Sequence, residues 1–282
     1  MTDFELGLVG HPVEHSMSPA MHNAVFERLG LSYKYGLFDL LEEELEGFIE
    51  KAKDEMIGVN VTIPHKVNVI PFIDKLSREA ELIGAVNTLK FEDGLVLGFN
   101  TDGLGCVKAL DEAGFPVKGK RVLILGAGGA ARAISFQAVL EGATVSLSNR
   151  EEEKQMVLDL ASELNGKTQS KVRVVDMVDE VLASELSNTD VLIHATPVGM
   201  HPREDGIVIP SKLIPKEVAV MDIVYNPLET RLLREAKNRG CPTISGVGML
   251  VHQGVECGKI WLGIDPPVDV MKKVVIQALE KG

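Results

Sequence analysis

The run Arg121-Val122-Leu123-Ile124-Leu125 passes without interruption into Gly126-Ala127-Gly128-Gly129-Ala130-Ala131-Arg132 and then into an alanine-rich amphipathic stretch ending near Gly142. This succession predicts a buried strand, a glycine turn and a helix, and it constrains the fold more than any other feature of the chain. Glycines at 126 and 128 permit a tight turn and close approach to the backbone. The helix that follows offers free amides and the positive end of its dipole to an anion. Ala131 stands where a third small residue is needed for close helix–strand packing. An ordinary βα turn would share the glycines but has no need of these flanks. Gly126, Ala127, Gly128, Gly129 and Ala130 are therefore expected to cradle a dinucleotide pyrophosphate.

The next apolar run ends Ser146-Leu147-Ser148-Asn149-Arg150, about twenty residues past the glycines, where the adenosine ribose of a dinucleotide should lie. An acid at that point selects NAD, whereas an arginine neutralises the 2′-phosphate of NADP. Asn149 and Arg150 thus argue for NADP. Glu151 follows at once, and a carboxylate beside a phosphate is unfavourable, so NAD stays open.

Elsewhere, short runs rich in Val, Ile and Leu alternate with longer amphipathic stretches, the pattern of parallel strands covered by crossover helices, so the class is α/β. Strands are expected at Phe4–Gly10, Tyr33–Asp39 and Ile57–Ile63, with helices near Ser18–Gly30, Glu42–Asp54 and Lys66–Phe72. In the first of these, Ser18 is expected to cap the helix and Pro19 to open it. A second series of strands runs through Arg121–Leu125, Thr144–Ser148, Val172–Val175, Val191–Ala195, Val218–Ile223 and Thr243–Ile244. The closing segments Leu250–Leu262 and Val268–Leu279 are helical by periodicity and have no strand of their own to cover. They are expected to return to the first domain, giving a discontinuous domain of residues 1–103 plus 247–282 and an inserted one of residues 104–246, with a cleft between. At 282 residues with 45% hydrophobic content, two cores can be filled.

A net charge of -12 opposes nucleic acid and anionic lipid, so a small-molecule partner is expected. Cys106, Cys241 and Cys257 lack CxxC spacing, the seven histidines form no ligand motif, and no long apolar run or leader is evident. No metal and a cytoplasmic location are expected.

The strand ending Val59-Asn60-Val61-Thr62-Ile63 is followed by Pro64-His65-Lys66, which puts Lys66 at the carboxyl end of a strand, the edge where α/β sheets bind ligands. A lysine on an exposed first turn would read the same way in isolation. Two further polar clusters, Gly84-Ala85-Val86-Asn87-Thr88 and Gly98-Phe99-Asn100-Thr101-Asp102-Gly103, follow apolar runs of their own. With His15-Ser16-Met17-Ser18-Pro19, Asn149-Arg150, Asp222-Ile223-Val224-Tyr225 and Gly248-Met249-Leu250-Val251-His252-Gln253, these segments in this order resemble the shikimate dehydrogenase family over essentially the whole chain.

The resemblance implies a substrate-binding domain and a Rossmann-like NADP-binding domain, and reversible NADP-linked reduction of 3-dehydroshikimate to shikimate in aromatic amino-acid biosynthesis. It implies that Lys66 and Asp102 form the catalytic pair and that Ser16 and Ser18 hold the substrate carboxylate. Thr62, Asn87, Asp102 and Gln253 would hold ring hydroxyls, with Tyr225 near the carboxylate. On the cofactor side it implies Ile223, Gly246 and Met249, with Ile223 and Met249 near the nicotinamide. Those roles suit the residue types. A carboxylate wants hydroxyl donors, and oxidation of a secondary alcohol sheds a proton that needs an acceptor. In the reverse direction a lysine ammonium supplies that proton, with Asp102 orienting it.

Glu151, in place of the family's frequent threonine, puts phosphate recognition in question. Cys106 stands where phenylalanine is frequent. Two other readings stay open: a quinate/shikimate dehydrogenase using NAD or both cofactors, and a non-catalytic ligand sensor on the same fold. Retention of Lys66, Asp102 and both serines opposes the sensor. A monomer and a homodimer are equally compatible with the sequence.

Overall fold

The computed structural model describes residues 4–281 and divides into two compact units, one running up to Thr101 and resuming at Val251, the other spanning Asp102–Leu250. The first unit opens with β1 (Leu6–Gly10), α1 (Ser18–Leu29), β2 (Tyr35–Asp39), α2 (Leu45–Glu55), β3 (Gly58–Val61) and α3 (His65–Asn68). It continues with β4 (Lys75–Leu76), α4 (Arg78–Ile83), β5 (Thr88–Glu92) and β6 (Leu95–Phe99). The six strands lie in the order β2-β1-β3-β5-β6-β4. β1 and β3 are buried along their whole length, which fits their apolar runs and central places.

β1 pairs in parallel with β2 and β3, and β4 with β6. The β3–β5 and β5–β6 pairs are antiparallel. The hairpin β5–β6 turns on Asp93 and Gly94, both with positive φ, at 54° and 75°, and Glu92 pairs with Leu95. A two-residue Asp-Gly turn of this hand matches the twist of its strands. In the sequence these segments read only as apolar runs ahead of polar clusters, although Asp93-Gly94 is a hairpin signal.

α1 starts at Ser18 with Met17, not Ser18, at the capping position, and it ends on Gly30 at a left-handed φ of 66°. Ser16 Oγ accepts the Ser18 backbone N–H at 3.2 Å, so the hydroxyl two residues earlier does the work expected of Ser18. The strand expected to reach Ile63 stops at Val61: Thr62 N–H completes the last rung to β1 on the Val9 carbonyl, and His65 N–H then turns back to Thr62.

The second unit contains α5 (Asp102–Glu112), β7 (Arg121–Leu125), α6 (Gly129–Leu140), β8 (Thr144–Ser148), α7 (Lys154–Thr168), β9 (Arg173–Val174), α8 (Asp179–Leu186), β10 (Val191–His194), β11 (Ala219–Asp222), α9 (Arg231–Asn238) and β12 (Thr243–Ser245). All its strand pairs are parallel, in the order β12-β11-β10-β7-β8-β9. Read from the other edge this is the 3-2-1-4-5-6 order of the dinucleotide-binding Rossmann fold, whose direction reverses between β7 and β10. Leu123, Leu125, Leu192, Val220, Leu232 and Leu233 form part of its core.

Two helices complete the chain, α10 (Gly246–Leu262) and α11 (Val268–Leu279). From Val251 onward α10 belongs to the first unit, where the Trp261 indole donates to the Leu89 carbonyl at 2.8 Å and so ties the helix to β5. In the same unit α11 packs against α1. Among the described residues no helix is long and apolar enough to cross a membrane.

Candidate active site

In the first unit a loop, a short helix and two strand ends carry the expected residues. The loop after β1 is held by Asp39 at the end of β2, which accepts from the His11 ring at 2.5 Å and from Val13 N–H at 3.4 Å. Mainly through the His11 hydrogen bond, the Asp39 carboxyl is held below its ordinary range. Ser16 follows in this loop and Ser18 opens α1, both half-buried.

Lys66 lies in α3, also half-buried, and its carbonyl accepts the Val86 N–H at 2.8 Å. That bond brings the start of α3 alongside the chain leading into Asn87. His65 is fully buried and its Nε2 donates to the Leu40 carbonyl at 2.7 Å, which pins the helix from below. Half-buried Thr62 is accommodated because Gly10 has no side chain: a Cβ there would sit 2.3 Å from Thr62 Cγ2.

Asn87, only 2% exposed, is the centre of a polar cluster. Its Oδ1 accepts from the Thr88 hydroxyl at 2.9 Å and from Thr101 N–H at 2.8 Å. Its Nδ2 donates to Thr101 Oγ1 at 3.0 Å and makes a long contact of 3.5 Å to Gln253 Oε1 on α10. Asn60 Nδ2 donates to the Asn87 carbonyl, Thr88 Oγ1 and Cys257 Sγ at 3.1, 3.2 and 3.1 Å. The buried Tyr35 phenol donates to Asn60 Oδ1 at 2.7 Å. The structure thus brings Asn87 and Gln253 together, and it adds Tyr35, Asn60, Thr88, Thr101 and Cys257. Asn60, Thr88 and Thr101 lie inside motifs visible in the sequence. Tyr35 reads there as an ordinary strand residue and Cys257 as packing.

In the second unit Gly126 has φ 121°, and a Cβ on it would lie 2.6 Å from the Ala195 carbonyl, so only glycine fits. Gly128 caps α6 with no side-chain hydrogen bond, and a Cβ at 128 or 129 would meet nothing within 4 Å. The first-turn backbone is therefore uncovered, as an approaching pyrophosphate requires. Ala127 and Ala130 are half-buried in the same turn. Gly126 N–H binds the Ser148 carbonyl at 2.8 Å, which fixes the turn to the end of β8. There the Ser148 hydroxyl is buried with no hydrogen-bond partner among the described residues, a polar atom that a bound ribose could satisfy. These features fit a dinucleotide.

Past β8, Asn149 Nδ2 donates to Glu153 at 2.8 Å, and the Arg150 guanidinium also pairs with Glu153. Hydrogen bonds from Arg150 and Asn149 hold the Glu153 carboxyl below its ordinary range. Glu151 instead faces Lys154, at 3.5 Å. The acid that pairs with Arg150 is thus two residues further on than the adjacent Glu151.

Asp102, 3% exposed, is the first residue of α5 and directly follows Thr101 in the chain. Ile223 follows β11, and Gly246 approaches it closely enough that a Cβ would stand 2.2 Å from its carbonyl oxygen. Met249 is buried nearby in sequence on α10. Tyr225 is half-buried, and burial raises its phenol above the ordinary value. Among the described residues no His, Cys, Asp and Glu cluster could hold a metal ion.

The family model for the shikimate dehydrogenase substrate binding domain matches residues 8–89, and that for the shikimate 5′-dehydrogenase C-terminal domain matches residues 246–276. The chain is 48% identical over 278 residues to a shikimate dehydrogenase (NADP(+)) of Methanopyrus kandleri, covering 97% of this chain and 95% of the relative. A crystal structure of shikimate 5-dehydrogenase from Listeria monocytogenes in complex with shikimate and NAD superposes with a TM-score of 0.92 at 39% identity, covering 98% of this chain and 97% of that one. One from Thermus thermophilus in complex with NADP(H) and shikimate gives 0.88 at 38% identity, covering 98% and 100%.

Proposed function

The chain belongs to the shikimate dehydrogenase family, and from that premise we propose that it reversibly reduces 3-dehydroshikimate to shikimate with NADP(H), in aromatic amino-acid biosynthesis and in the cytoplasm. One observation carries the reading furthest: the Asn87 cluster, whose buried carboxamides and hydroxyls are gathered beside the backbone of Lys66. Buried polar groups on this scale are costly unless they orient a polar ligand or each other, and packing alone gives no reason to concentrate them here.

In this reading the first unit binds substrate and the second the dinucleotide, which would accept or deliver the hydride. Lys66 moves the proton of the reacting hydroxyl: as ammonium it donates to the oxygen that becomes the alcohol, and as amine it takes that proton back. Asp102 orients the ammonium and accepts from a ring hydroxyl. Ser16 and Ser18 hold the carboxylate, helped by the positive end of α1, with Tyr225 beside them. Thr62, Asn87 and Gln253 hold the ring hydroxyls. Gly126 to Ala130 would cradle the pyrophosphate and Asn149 and Arg150 would hold the phosphorylated ribose, with Gly246 also on the cofactor side and Ile223 and Met249 near the nicotinamide.

Glu153 favours a second reading, dual use of NADP and NAD, because a carboxylate bound to Arg150 competes with a 2′-phosphate. Steady-state assays of shikimate and quinate, each with NADP and NAD, separate the readings. The expected order is shikimate with NADP first. Comparable kcat/KM with NAD establishes dual use, and preference for quinate overturns the substrate assignment.

A further inference from the structure

A polar residue that binds a substrate hydroxyl must present the right end of its carboxamide, and in the first unit the surroundings of Asn87 determine which end that is. The Thr88 hydroxyl and the Thr101 N–H both point at Oδ1, at 2.9 and 2.8 Å, and so occupy its two lone-pair directions. The nitrogen is left on the side of Thr101 Oγ1 and Gln253. Asn60 Nδ2, a donor, occupies the Thr88 oxygen at 3.2 Å, which turns the single Thr88 proton away from Asn60 and toward Asn87 Oδ1. Asn60 in turn is held in that orientation because its Oδ1 receives the Tyr35 proton at 2.7 Å. A phenol hydrogen donated to Asn60 therefore fixes, in two further steps, the direction of Asn87.

We propose that Thr88 and Tyr35, acting through Asn60, are positioning residues that lock Asn87 with its carboxamide nitrogen toward the substrate, making it a dedicated hydrogen-bond donor. Neither needs to touch the ligand. The ligand atom that meets Asn87 is then an acceptor, a condition met by a hydroxyl oxygen or a carbonyl oxygen and not by an ammonium. The chemistry of the locked side chain thus excludes a cationic nitrogen at this position of the ligand and calls for an acceptor atom there. Burial supports the lock: Tyr35, Asn60, Asn87, Thr88 and Thr101 are all at most 8% exposed, so bulk water does not compete for these bonds. Tyr35 is also stacked on His22 at 4.6 Å between ring centroids, which holds its hydroxyl on line.

The proposal builds on the substrate reading above, and its test separates the two. The substrate-free readout is the Asn87 side-chain amide pair, observed by NMR in full-length protein with labelled asparagine. It is expected to be sharp and protected from exchange in the wild type, broadened in Thr88→Val, which keeps the shape and removes the hydroxyl, and restored in Thr88→Ser. The kinetic readout is KM for shikimate, expected to rise about tenfold in Thr88→Val, with kcat within about threefold and the dissociation constant of NADP unchanged. Tyr35→Phe should give a smaller rise in KM, and the double variant less than the product of the two, since both act on one amide. An Asn87 signal unchanged in both Thr88→Val and Tyr35→Phe overturns the lock, whatever the substrate proves to be. A fall in melting temperature with KM unchanged also overturns it, leaving only a packing role. A wild type that shows the protected amide but no turnover of shikimate refutes the substrate assignment and leaves the lock standing.

Discussion

A single lysine carries most of the chemistry proposed for this chain, and nothing in its local sequence distinguishes Lys66 from an exposed helical lysine. What distinguishes it is the company its backbone keeps: Val86 N–H on its carbonyl and buried His65 beneath it. Replacing Lys66 by alanine should lower kcat by roughly 10²–10⁴, the usual contribution of a positioned proton donor, while NADP affinity measured by direct titration stays within about threefold. Turnover near the wild-type rate would end the assignment. Arg150 poses the opposite problem, since the sequence points to its role but not to its partner. The adjacent acid, Glu151, faces Lys154, and Glu153 takes the guanidinium because residues three apart meet on the first turn after β8. Arg150→Ala is expected to raise KM for NADP by roughly tenfold or more and to leave KM for NAD nearly unchanged, because only the former carries a phosphate for it to neutralise. Equal effects on both cofactors would show that Arg150 supports the loop and not the phosphate. Side chains such as Tyr35 escape the sequence altogether, because a buried aromatic on a strand looks the same whether its hydroxyl is satisfied incidentally or directs a neighbour.

At the scale of elements, β7 is legible because burial on both faces writes an unbroken apolar run over Val122–Leu125, whereas β8, Thr-Val-Ser-Leu-Ser, falls where expected although serines share its buried positions. β5 and β6 are harder. Their residues alternate between buried and more exposed positions, and a hairpin inserted into a mainly parallel sheet breaks the alternation of strand and helix from which the rest is inferred. α1 shows a consequence of packing that periodicity cannot announce. It buries His22 against Tyr35, Phe26 and Trp261, and this desolvation lowers the His22 pKa from 6.5 to about 3. The neutral ring is therefore the folded form, while the unfolded chain takes up a proton below pH 6.5. Stability from this group is complete above pH 6.5 and is lost as pH falls toward 3, by about 1.4 kcal/mol per pH unit within that window. Denaturant melts of wild type and His22→Phe between pH 7 and 4 should show a shallower fall for the variant, by close to one proton. Parallel curves would mean that His22 is not held neutral by its burial.

The whole molecule depends on a connection that runs nearly the length of the chain. α11 lies some two hundred and fifty residues from α1 in sequence, yet it packs against it within the first unit, and Met271 and Val275 bury their side chains completely. Periodicity predicts both terminal helices; what it cannot supply is their partner, since an apolar stripe specifies that something covers it and not what. The Asn60, Thr88 and Thr101 contacts of Cys257 on α10 have the same origin, a residue late in the chain completing a cluster begun early. Met271→Ala, which removes a fully buried thioether, should cost about 2–5 kcal/mol. For a chain of this size that corresponds to a fall of very roughly 4–15 °C in melting temperature if the loss is felt cooperatively. Because α11 belongs to the unit that carries Ser16, Ser18 and Asn87, shikimate added to the variant should recover melting temperature by mass action on the native state. The dissociation constant for NADP, a ligand proposed for the other unit, should stay within about twofold below the transition. Calorimetry with each ligand in turn measures both effects, and a variant that loses NADP affinity while still folded would mean that the brace between α1 and α11 supports more than the unit in which it lies.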